Sequence, residues 1–88
     1  MMANITRYIS CFDKRTEKLV KEIPLPAISL DVLHELFRDS IDGDSDPMMD
    51  MFRIGRRQAA ALTSYAEGEI DVEQYDCFLE CHAATEPG

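Results

Sequence analysis

The sequence predicts an α+β domain of element order ββαβαβ, a mostly antiparallel four-stranded sheet with two helices on one face. Three observations predict it. Strand-like runs with a hydrophobic period of two open and close the chain, and two segments between them carry the 3.6-residue period of amphipathic helices. The 88 residues are 45% hydrophobic, with only four Gly and four Pro, which describes one small globular domain and not a disordered acidic tail. We expect that domain to span residues 1–84, with 85–88 as a disordered tail.

Residues 5–12 and 18–23 are β-prone runs separated by Asp13-Lys14-Arg15-Thr16, whose Asp and Thr side chains can close a turn onto backbone N–H groups. This predicts a hairpin. Ile5, Ile9 and Cys11 alternate onto one face of the first strand, and Leu19 and Ile23 onto one face of the second. Pro24 and Pro26 should end the pairing, because neither has an N–H to donate.

Ser29 then starts a helix as its N-cap, with Asp31 where the helix dipole favours negative charge, and Ile28 and Leu33 spaced as a hydrophobic staple. Leu30, Leu33, Leu36 and Phe37 form its apolar stripe to about Arg38, while His34 and Glu35 fall on the outer side. Residues 39–50 read as a polar loop, and residues 51–54 as a short strand with Phe52 and Ile54 inward. Gly55 opens a second helix to Ala66, made of good helix formers with Ala59, Leu62 and Ala66 on its inner stripe. After an acidic connector, residues 75–81 alternate as Tyr75, Cys77, Leu79, Cys81 against Asp76, Phe78, Glu80, the pattern of a last strand with one apolar face.

Charge is segregated along this framework. Residues 31–50 hold seven acids against the single base Arg38, and residues 67–88 hold seven more with no Lys or Arg. The net charge of −8 is built from these two blocks, since the other two stretches are net positive. Such a charge favours a basic protein partner and argues against nucleic acid and anionic membrane surfaces, which it repels before contact. The start of the chain lacks the apolar run of a signal peptide, and no window reaches the length of a membrane span, so we expect a cytoplasmic protein. Three cysteines, Cys11, Cys77 and Cys81, fit a reducing compartment better than a disulfide framework.

No constellation of side chains predicts catalysis. Asp42-Gly43-Asp44-Ser45-Asp46 begins like a calcium loop but holds Pro47 where the sharp turn needs Gly, and Arg53 where a bidentate Glu is needed. We expect a solvated or partner-binding loop there. Cys77, Cys81 and His82 could look like metal ligands, with Cys11 joining them, but Cys77 and Cys81 placed on one strand stand about 13 Å apart, too far to share a metal or a disulfide. Arg53, Arg56 and Arg57 could hold a phosphate at the second helix but more simply pair with carboxylates of the domain. Met48, Met49 and Met51 suit an adaptable contact surface and a core equally well. The reading is therefore of a non-enzyme without metal or cofactor.

The segments Tyr8-Ile9-Ser10-Cys11-Phe12-Asp13-Lys14-Arg15-Thr16, Asp46-Pro47-Met48-Met49-Asp50 and Tyr75-Asp76-Cys77-Phe78-Leu79-Glu80-Cys81 together resemble a family of small uncharacterised bacterial domains over nearly the whole chain. That resemblance implies no catalytic or binding residue. In size and acidity the chain is also similar in type to bacterial immunity proteins, which block a basic toxin such as a nuclease.

These observations lead to two expectations of function. The first is an acidic binding protein of the immunity or antitoxin type, whose partner-binding residues are Asp39, Asp42, Asp44, Asp46 and Asp50, with Met48, Met49 and Phe52 as apolar anchors. The second is a small homodimeric structural or regulatory module using an open strand edge.

Overall fold

In the computed structural model the backbone is described for residues 4–26, 28–41, 48 and 51–84, and the side chains for 6–26, 28–41, 48 and 51–81. The elements are β1 (Asn4–Asp13), β2 (Leu19–Pro24), α1 (Leu30–Leu36), a 3-10 turn (Arg38–Ser40), β3 (Phe52–Arg53), α2 (Arg56–Leu62) and β4 (Tyr75–Ala84). They form an α+β fold in the order ββαβαβ. The sheet is four-stranded and antiparallel throughout, with spatial order β2-β1-β4-β3, so the two long strands lie at its centre.

Local chemistry explains each joint. At the β1–β2 hairpin the Asp13 carboxylate accepts from the backbone N–H of Arg15 at 2.7 Å and of Thr16 at 3.0 Å. These two bonds favour the ionised form and hold the Asp13 carboxyl below its ordinary value. Glu17 completes the turn at a φ of 61°, a left-handed conformation that side chains other than Gly adopt only with strain. At α1, Ser29 Oγ accepts from Val32 N–H at 3.3 Å, the expected cap. At α2, the Gln58 side chain reaches back to the Gly55 N–H at 3.0 Å and donates to the Leu36 carbonyl at 3.3 Å, tying the start of one helix to the end of the other.

The core lies between one sheet face and the helices. Ile9 and Cys11 of β1, Ile23 of β2 and Cys77 and Leu79 of β4 point into it, against Leu33 and Phe37 of the first helical segment and Ala59 and Leu62 of α2. Full burial of each such aliphatic side chain removes about 1.5–3 kcal/mol of apolar exposure from water, and this drives both helices onto one face.

Several expectations change in detail: β2 runs through Pro24, which opposes Tyr8, β3 is only Phe52–Arg53, and α2 ends at Leu62 and not at Ala66. Helix α1 ends at Leu36, because Phe37 leaves the helical region and its N–H bonds to Leu33 before the chain tightens into the 3-10 turn. The last strand continues past residue 81 to Ala84, paired with the start of β1. Leu19 does not share the inward face of Ile23. The β1–β2 register shifts between Cys11 and Phe12, so Cys11 opposes Lys21 while Phe12 opposes Leu19, and Leu19 is left 52% exposed. Expectations for the tail 85–88 lie outside the described residues.

Candidate functional site

Both helices occupy one side of the sheet, so among the described residues no helix lies over the side chains of opposite parity. Tyr8, Ser10 and Phe12 of β1 and Asp76, Phe78 and Glu80 of β4 share this open face. Cross-strand neighbours fix the layout. Tyr8 opposes Glu80, Ser10 opposes Phe78 on one side and Glu22 on the other, and Arg53 opposes Phe78 from β3. One row therefore crosses the whole sheet as Glu22, Ser10, Phe78, Arg53, running from an acid at the β2 edge to a base at the β3 edge.

Contacts along the face hold it in shape. Phe12 and Phe78 meet edge to face with centroids 5.8 Å apart, and the Arg53 guanidinium lies 5.7 Å from the Phe78 ring centroid. Asp76 receives Lys14 at 3.2 Å and Arg53 at 3.0 Å. Phe12, Glu17, Met51, Arg53, Asp76 and Phe78 together line a shallow groove of about 320 Å³. Ser10 is closed off beneath its neighbours, whereas Met51 is 51% exposed. Partial burial, followed by the nearby carboxylates of Glu80 and Glu22, raises the Tyr8 phenol above its ordinary pKa.

The expected partner-binding residues divide. Asp39 is exposed in the 3-10 turn. Met48 and Phe52 do not form surface anchors: Met48 is fully buried and Phe52 is 8% exposed, its ring 5.8 Å from that of Phe37. The cause for Phe52 is β-strand parity, since it opposes Leu79 and shares its inward face. Met48 has a left-handed backbone at φ 54°, and its carbonyl accepts from Arg7 Nη1 at 2.8 Å. Asp42, Asp44, Asp46, Met49 and Asp50 lie outside the described residues, as does the calcium-like run. Of the two described methionines near this loop, Met48 is core and Met51 is surface.

Both acidic blocks carry ion pairs among the described residues. In the second, Asp76 pairs with Arg53 and Lys14, and Glu73 pairs with Arg56, as expected for that basic cluster. Lys21 bonds the Glu69 carbonyl at 3.2 Å. In the first, Arg38 is engaged by Glu35, and Asp31 and Asp39 remain exposed nearby.

One juxtaposition was not legible in the sequence. Cys11 and Cys77 are direct partners across the β1–β4 ladder, with Sγ atoms 3.5 Å apart in the core. Both are free thiols. Burial above all, then the Cys11 thiol beside it, pushes Cys77 up to about 12, so at neutral pH it is protonated and a poor nucleophile. Among the described residues no group of three or more His, Cys, Asp or Glu is placed to hold a metal ion, and no helix is long and apolar enough to cross a membrane.

Fold and surface thus define a small two-layer α+β domain with one sheet face packed under helices and the other open. The chain belongs to the family described as domain of unknown function DUF7683, whose model matches residues 6–80. Comparison with curated proteins and with solved structures gave no match.

Proposed function

We propose that this domain is a binding protein that takes a basic protein partner through its first acidic block, in the manner of a bacterial immunity or antitoxin-type inhibitor acting in the cytoplasm on a basic toxin such as a nuclease. The observation that carries this reading is the placement of charge: residues 39–50 hold five carboxylates and no Lys or Arg, with Asp39 exposed. The first block has one base, Arg38, engaged with Glu35. A carboxylate cluster steers a cationic partner and raises its association rate, an effect that fades with salt because screening acts over about 8 Å at physiological ionic strength. With Met48 and Phe52 in the core, the apolar part of the contact falls to other side chains.

Replacing Asp42, Asp44 and Asp46 together by Asn tests the reading. Stability should move by no more than about 1 kcal/mol in urea unfolding. Association with a partner captured from the source cell should slow, with the defect shrinking as salt rises. Unfolding of the triple variant would make these carboxylates internal partners, and capture of only acidic or neutral proteins would sink the proposal. A second reading, a homodimeric structural or regulatory module, is favoured by one observation, the open sheet face.

A further inference from the structure

We propose that the open sheet face is the interface of a symmetric homodimer, in which two copies stack face to face about a two-fold axis running along the strands. The proposal rests on the homodimer reading and specifies its surface, which is the face of the sheet and not a strand edge. The occupant follows from the charge layout. The row Glu22, Ser10, Phe78, Arg53 carries its acid on β2 and its base on β3, the two outer strands. A two-fold axis parallel to the strands between β1 and β4 lays each β2 over the partner's β3 and leaves every row at its own height. Glu22 of one copy then faces Arg53 of the other, twice over, as an isologous interface requires.

The adjacent row gains from the same operation. Each β1 lies over the partner's β4, so the Tyr8 hydroxyl is brought over the Glu80 carboxylate, to which it can donate. The ring of Phe78 and, at the β3 edge beside Arg53, the exposed Met51 supply apolar surface. Paired sheets pack about 10 Å apart, a gap that Arg, Glu and Tyr side chains reach across from both sides. Strands about 4.8 Å apart, with three face positions on each of β1, β2 and β4 and only Arg53 on β3, make a footprint of roughly 300 Å² per copy, below the standard specific interface, so the dimer is a weak one that forms at high concentration.

The two single charge reversals, Glu22→Arg and Arg53→Glu, test this arrangement. Both positions are exposed, and circular dichroism establishes that each variant is folded. Sedimentation equilibrium of the full chain between about 5 and 500 μM should show a monomer–dimer equilibrium for the wild type, weakened at least tenfold in either variant by like charges facing across the interface. Mixed in equal amounts, the two variants should form a heterodimer, because every Arg then faces a Glu. A wild type that stays monomeric at 500 μM overturns both this interface and the homodimer reading. A dimer indifferent to both reversals, or two weakened variants that fail to pair when mixed, overturns this interface alone and assigns the dimer to another surface. The proposed contacts name no residue of 39–50, so none of these outcomes decides the basic-partner proposal.

Discussion

Leu79 and Phe78 are consecutive residues of β4 that live in different surroundings. Leu79 is fully buried beneath the helices, while Phe78 is only partly covered, by Phe12 on one side and Arg53 on the other. The same contrast divides the whole sheet. Apolar volume on the helix side is enclosed and adds to stability, whereas aromatic surface on the other side is arranged and left open. A domain of this size has little stability to spare, on the order of a few kcal/mol.

Truncating the two neighbours breaks or confirms that contrast, and it carries the largest expected effect. Leu79→Ala should lose about 3–4 kcal/mol in urea unfolding, because its cavity is closed on all sides, and Phe78→Ala only about 1 kcal/mol. Equal losses would show that the face treated as open is covered. The buried thiols sharpen the same comparison. Cys77 holds its proton in the folded state up to about 12, while an unfolded thiol loses it near about 8.5. Its contribution is thus whole below the unfolded value and is lost as pH rises through the folded one. Wild-type unfolding midpoints should fall more steeply than those of Cys77→Ala above about pH 9. At neutral pH, partly exposed Cys81 should react with a thiol reagent before Cys11 and Cys77, which wait for unfolding; mass spectrometry of labelled peptides reads the order. The smallest effect belongs to the rim of the open face. Glu17→Gly should relieve the left-handed strain and raise stability by about 0.5 kcal/mol, measured by the same denaturation.

How far such contrasts can be read in advance depends on the range of the interaction. The Asp13 turn, the Ser29 cap and the Ile23 face follow from contacts within a few residues and were legible. Leu19 was not, because a register shift against β1 reversed its side. Phe52 was legible as inward-facing, yet the same residue was also expected to anchor a partner, and a two-residue strand pressed against Leu79 decides for the interior. Met48 was also expected as a surface anchor and is core instead, and no periodic pattern around it in the sequence signalled this.

By itself the sequence determined the kinds of elements, their order, the parity of the long strands and the segregation of charge, all properties of residues close together in the chain. Only the tertiary structure decided that β1 lies between β2 and β4. That pairing sets Cys11 against Cys77 across 66 positions, brings Lys14 to Asp76, and lines up Glu22, Ser10, Phe78 and Arg53 in one row. The physical reason is that strand alternation says which side a residue faces, while the neighbour it meets there depends on the sheet order and register. Those are chosen by burying one continuous apolar face under two short helices.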